Sequence, residues 1–133
     1  MQRIFSLCLV IVFMTGFAAG NRSVSYGNSI SVRGLASWYS ESDRGVKKTT
    51  ANMEVFDDSQ LTCAIWNVPF GTKLKITNTH TGESIVVRVN DRGPAKRLVR
   101  QGRIVDLTKA AFSRLADLDE GLIAVDIQIV SSL

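Results

Sequence analysis

Histidine, cysteine and proline are scarce in this chain. Its 133 residues include one histidine, two cysteines and two prolines. The lone histidine, His80, sits in the turn-like run Asn78-Thr79-His80-Thr81-Gly82, and nothing marks it as a base for a thiol. A Cys–His nucleophilic pair and a zinc site are therefore both unsupported, and no metal or other cofactor is expected. Cys8 lies in an N-terminal apolar run, which leaves Cys63 as the one thiol of the folded part. Without a disulfide the domain must rest on its own core, and Cys63 reads as a buried structural cysteine. Low-complexity tracts and internal repeats are missing too. Charge of one sign is not abundant: the formal net charge is +4, or +3 once Arg3 is removed with the first 20 residues. That excess is too small to point to nucleic acid, although it suits approach to an anionic polymer.

A long hydrophobic span is also lacking. Met1-Gln2-Arg3 is a short positive start, Ile4 to Phe13 an almost unbroken apolar run, and Thr15 to Gly20 a small-residue segment. The run falls short of the ~20 residues a membrane span needs. Residues 1–20 are expected to be a cleavable signal peptide, with Asn21 starting the mature chain. Cys8 lies inside the apolar run rather than after a cleavage box, so no lipid anchor and no stable membrane insertion are expected. The product should be periplasmic or secreted. Residues 21–33 are polar and aperiodic and read as a flexible leader. Residues 34–131 should form one domain, with no second domain after it.

Within that domain the apolar pattern is mostly that of short strands. Leu35 to Tyr39 is one. Thr49 to Val55 is a second short segment. Leu61 to Val68 suggests a short helical turn. Lys73 to Thr77 alternates with Leu74 and Ile76 inward, and Asn78 to Glu83 is a hairpin turn to Ser84–Asn90. Ile104 to Leu107 is another strand. Thr108 should cap a helix running to about Ala116 that buries Ala111, Phe112 and Leu115. After Gly121 a last strand turns Ile123, Val125, Ile127 and Ile129 inward. The expected core joins Leu74, Ile76, Ile85, Val87, Val89, Val125, Ile127 and Ile129. About six short strands and one short helix suggest a mainly β fold closed into a small barrel, which leaves no exposed sheet edge.

The segment Val87-Arg88-Val89-Asn90-Asp91-Arg92-Gly93-Pro94 carries the chemistry. Ile85, Val87 and Val89 share one parity, and Asp91 continues it where the strand stops. A carboxylate at the mouth of a core is partly desolvated, which raises a carboxyl pKa and keeps a proton available for donation. Gly93-Pro94 ends the strand and opens room beside it. The plainer reading is a strand-end carboxylate that binds turn amides and pairs with Arg92.

Seven blocks occur in one order: Ala36-Ser37-Trp38-Tyr39, Thr50-Ala51-Asn52-Met53-Glu54-Val55-Phe56, Leu61-Thr62-Cys63-Ala64, Val68-Pro69-Phe70-Gly71-Thr72, Thr77-Asn78, Val89 to Pro94, and Ile104-Val105-Asp106-Leu107-Thr108. Together they resemble the RlpA family (rare lipoprotein A) over Gly34 to Val130. The resemblance implies a six-stranded double-psi β-barrel and an endolytic lytic transglycosylase. Such an enzyme cuts peptidoglycan glycan strands lacking stem peptides and leaves 1,6-anhydro ends. It also implies that Asp91 and Glu54 are the catalytic carboxylates; the candidate substrate-binding residues are Trp38, Tyr39, Arg92 and Asn52. Three departures stand out. Met53 replaces the glycine usual before the glutamate. Ile65 stands where the family usually has a histidine associated with activity. Tyr39-Ser40 and Asp43-Arg44-Gly45 blur two further elements. No glycan-binding repeat domain is expected to follow.

The implied reaction needs neither water nor metal. One carboxyl protonates the leaving oxygen, and the same carboxylate or a neighbour takes the proton of the sugar's own 6-hydroxyl as it attacks. Glu54 could raise the pKa of Asp91 by like charge or stabilise a cationic intermediate, and Arg92 could lower that pKa or grip an acetamido or lactyl group. Trp38 and Tyr39 have opposite parity, so only one should face a groove, where its ring could stack on a sugar. Asp106 is either a second acid or a structural carboxylate accepting backbone N–H bonds. Lys47-Lys48 and Lys96-Arg97 read as solvated faces. Two other functions remain open: an expansin-like barrel that holds glycan without cutting it, and a hydrolase with two carboxylates ~6.5–9.5 Å apart around a water.

Overall fold

The computed structural model describes residues 30–131. The expected signal peptide and residues 21–29 of the leader lie outside the described residues. Six strands close into a barrel: β1 (Ser31–Tyr39), β2 (Thr62–Ala64), β3 (Lys73–Asn78), β4 (Ser84–Asp91), β5 (Arg103–Thr108) and β6 (Ile123–Ser131). Their order around the barrel is β1-β5-β2-β4-β3-β6. The β1–β5 and β2–β4 pairs are parallel and the others antiparallel. Two parallel pairs inside one small closed sheet require two crossing connections, the double-psi arrangement expected from the resemblance. Among the described residues no helix is long and apolar enough to cross a membrane.

The alternation of the long strands determines the core. Leu74, Ile76, Val87, Val89, Val105, Leu107, Val125 and Ile127 are all buried, with Phe112 and Leu115 packed among them. Cys63 is fully buried and free. The β3–β4 hairpin pairs Leu74 with Val87 and Ile76 with Ile85. Its turn is organised by Asn78, whose Oδ1 accepts from the His80 and Thr81 amides and whose Nδ2 donates to the Leu115 carbonyl. Gly82 takes φ +79° there, a conformation open to glycine at no steric cost.

Several expectations are corrected. Leu61 to Val68 is not a helical turn; it contains β2, three buried residues wedged between β4 and β5. Three residues buried throughout carry no readable period. Ile129 is 60% exposed rather than core. The β1–β6 ladder ends at Ser31–Gln128, so Ile129 has β3 on one side only. The strand β1 begins at Ser31, inside the segment read as leader. Among the described residues there are two short α-helices rather than one: α1 (Lys96–Val99) and α2 (Lys109–Ser113). Thr108 caps α2 as expected, its Oγ1 accepting from the Ala111 amide at 3.3 Å, but the helix stops three residues before Ala116.

Candidate active site

The register around β2 builds the site. Ala64 pairs with Asp91 of β4 on one side and with Asp106 of β5 on the other. The β2–β4 register slips between Cys63 and Ala64, which brings Asp91 alongside Ala64. Neighbouring strands lie ~4.8 Å apart, so two carboxylate-bearing positions flank one alanine. Both side chains open into a cleft of about 590 Å³ whose walls include Tyr39, Met53, Ala64, Asp91, Arg92 and Asp106. Gly93 keeps that space open. A Cβ there would lie 3.3 Å from Asp106 Oδ2 and 3.4 Å from Ala64 Cβ.

Asp91 is held by named donors. Its Oδ1 accepts from the Ala51 amide at 2.9 Å and the Arg92 amide at 2.8 Å. Its Oδ2 accepts a long 3.5 Å bond from the Tyr39 hydroxyl. Burial, and then the charge of Asp91, push the Tyr39 phenol well above its ordinary value, so it remains a donor. The Tyr39 ring stacks on Phe56 at 4.7 Å, which covers one of its faces. Arg92 does not ion-pair with Asp91. Its guanidinium lies 3.8 Å over the Phe70 ring, and Nη1 donates to the Ile65 carbonyl at 3.0 Å. Asp106 accepts through Oδ1 from Ser37 Oγ, and Arg103 Nη2 donates to Ser37 Oγ at 2.5 Å. Its partners are side chains, not the backbone amides expected.

Glu54 stands apart from the cleft lining. Arg88 grips it in a bidentate pair, Nη1 to Oε1 at 2.6 Å and Nη2 to Oε2 at 2.9 Å. Asn52 Nδ2 and Asn90 Nδ2 add donors at 2.8 and 3.2 Å. Arg88 above all, then Asn52, holds the Glu54 carboxyl down to about 2. Arg88 and Asn90 project from the outward parity of β4, opposite Val87 and Val89. Glu54 thus fastens the loop of residues 49–55 to the outer face of the strand whose end carries Asp91. Asn52 serves the same loop: its Oδ1 accepts from Thr50 Oγ1 at 2.5 Å and from the Glu54 amide at 3.2 Å. One further group of carboxylates, Glu41, Asp57 and Asp58, comes within 4.8 Å of one another. Its oxygens accept local bonds from Ser40, Ser59 and the Asp58 amide.

A family model described as lytic transglycolase matches residues 31–127. The chain belongs to the lytic transglycolase family. Among curated relatives, it is 48% identical over 82 residues to the "Endolytic peptidoglycan transglycosylase RlpA" of Yersinia pestis, covering 62% of this chain and 21% of that one. It is 39% identical over 101 residues to the "Probable endolytic peptidoglycan transglycosylase RlpA" of Nostoc sp., covering 76% and 26%. The match thus spans between 21% and 37% of the length of these curated relatives. Solved structures with the same fold include the Streptomyces papain inhibitor, at TM-score 0.59 and 26% identity over 77% of this chain and 96% of that one. The apo expansin of Clavibacter michiganensis gives TM-score 0.59 at 20% identity over 78% and 52%.

For this lytic transglycolase domain the structure brings Asp91, Tyr39 and Arg92 into one cleft. It leaves Glu54 and Asn52 in the supporting loop and Trp38 elsewhere. Trp38 packs against the core and donates from Nε1 to the Leu118 carbonyl at 3.0 Å. Ile65, at the usual histidine position, turns its side chain to an apolar cavity with Trp66 and Val68, away from the Asp91 cleft. Sequence reasoning missed two residues here. The Ala51 amide carries no side-chain signal at all. Arg88 was visible only as an outward residue of an alternating strand, with nothing to tie it to Glu54, 34 residues earlier.

Proposed function

We propose that this domain is a secreted lytic transglycosylase that acts in the cell-wall compartment on peptidoglycan glycan strands, with a preference for strands lacking stem peptides. The observation that carries the reading is Asp91. One of its oxygens is anchored by two amides, and the other is turned toward Tyr39 in the cleft of a lytic transglycolase domain. Asp91 protonates the glycosidic oxygen as the C1–O bond breaks. The resulting carboxylate takes the proton of the sugar's 6-hydroxyl as that oxygen bonds to C1, closing the anhydro ring. No proton, water or electron is left over. Tyr39 orients the carboxylate through its hydroxyl. Asp106, across Ala64, stabilises the positive charge that develops at C1. Glu54 acts as a positioning residue: it holds the loop that supplies the Ala51 amide.

A second reading is favoured by the Asp91–Asp106 pair itself. Two carboxylates flanking a single small residue suit an inverting hydrolase that activates a water between them. Mass spectrometry of stem-peptide-free strands incubated with the protein separates the possibilities. Anhydro-ended fragments are expected. Reducing ends would move the assignment to hydrolysis, and intact but tightly bound strands to a binding module.

A further inference from the structure

Met53 is in a left-handed conformation, φ +72°. Most positive-φ positions in the described chain are glycines, and the other non-glycine is Asn67, a residue type that tolerates the region. Methionine gains nothing there from its own backbone. The loop imposes the conformation. The Met53 amide donates to the Thr50 carbonyl at 2.9 Å, the Thr50 amide to the Glu54 carbonyl at 2.8 Å, and Glu54 is clamped by Arg88. Nor does the side chain gain burial, since Met53 is 79% exposed. It projects instead at the lip of the cleft that holds Asp91. Val46 and Lys47, on the same lip, also wall a neighbouring cavity with Val55, another 79% exposed apolar residue. Val46 and Lys47 therefore form a wall shared by the Asp91 cleft and that second cavity. Backbone strain of this kind clusters at active sites and ligand clamps, and here it is held at the edge of the Asp91 cleft.

We propose that Met53 is a specificity-determining residue that packs against the acetamido methyl group of an N-acetylated sugar bound in the cleft. This rests on the glycan-strand reading of the site. An N-acetylhexosamine offers one exposed methyl per residue, and a flexible, polarizable thioether adapts to it without a fixed pocket. The side chain touches substrate rather than protein, so its loss weakens binding without loosening the fold.

The experiment compares Met53→Gly and Met53→Leu with the unchanged protein. Retention of stem-peptide-free strands is measured at 4 °C, with strand integrity checked by mass spectrometry, beside thermal melts. Met53→Gly is expected to raise Tm by about 2–5 °C, since glycine accepts φ +72° without strain. It should weaken binding of acetylated strands by about three- to tenfold, and Met53→Leu should stay within about twofold. On N-deacetylated strands the glycine penalty should vanish. Unchanged binding by Met53→Gly, an equal loss on both kinds of strand, or a fall in Tm overturns the inference. Failure of the unchanged protein to retain any strand overturns the glycan reading and this inference with it. Retention by that protein with no Met53→Gly effect overturns this inference alone.

Discussion

Asp91 and Glu54 are both carboxylates, yet their surroundings differ. Asp91 offers one oxygen to a cleft, whereas Glu54 has both oxygens tied to Arg88 and two asparagines. Asp91→Asn keeps an oxygen that accepts from the Ala51 and Arg92 amides but cannot donate an acidic proton. It should abolish strand cleavage while Tm changes by only a few degrees, as read by mass spectrometry and thermal melts on the same sample. A large fall in Tm with activity lost only in proportion would assign Asp91 to the turn instead. Glu54 sets a pH dependence. Its folded pKa, about 2, lies below its ordinary value of 4.5. Its contribution is therefore complete above pH ~4.5 and is lost as pH falls toward 2. The pair is 39% exposed on both sides, so that contribution is on the order of 1 kcal/mol. The Tm difference between the unchanged protein and Glu54→Gln should be widest near pH 6 and close below pH ~3. A difference independent of pH would show that the ion pair does not hold the loop. Asp91 was legible because strand parity and the following Gly-Pro break are local signals. The partners of Glu54 were not legible, because two of them lie on another strand and no pattern links residues 54, 88 and 90.

The strand β4 works on two faces. Val87 and Val89 fill the core, while Arg88 and Asn90 hold the loop that caps Asp91. Stability and the site therefore share one element, and its faces can be tested separately. Val87→Ala leaves a cavity in a position that is 1% exposed and should cost about 1–3 kcal/mol in denaturant unfolding. Ile129→Ser, at the 60% exposed end of β6, should change stability by less than about 0.5 kcal/mol. A loss of core size at Ile129 would mean that β6 is covered there. The hairpin and β6 were readable because six or more alternating residues establish a period. The strand β2 was not, since three buried residues look alike in a helix and a strand, and Ile129 kept the parity of a strand that had outrun its neighbour.

At the scale of the whole molecule, barrel closure makes the site. Tyr39, Ala51, Asp91 and Asp106 come from four separated segments, and only the crossing of the parallel pairs brings them to one mouth. The pattern of short strands suggested a closed sheet, but the alternation of single strands says nothing of which strand ends converge. Ala64 standing between Asp91 and Asp106 is a property of strand order, and Asp106 therefore offers the sharpest test of the reaction. Asp106→Asn keeps an oxygen to accept from Ser37 and Arg103, so the fold should be retained. It removes a negative charge beside the cleft. If Asp91 alone moves both protons, that charge matters only for stabilising the cationic carbon, and cleavage should slow by roughly ten- to a hundredfold. The products should still carry anhydro ends, because no water is activated. In a two-carboxylate hydrolase Asp106 would be the base or the acid, so the same substitution would stop cleavage outright. The unchanged protein would then yield reducing ends. Rate and product are thus read from one digest. Slowed, anhydro-ended cleavage supports the one-carboxylate route, and complete loss together with reducing-end products from the unchanged protein overturns it.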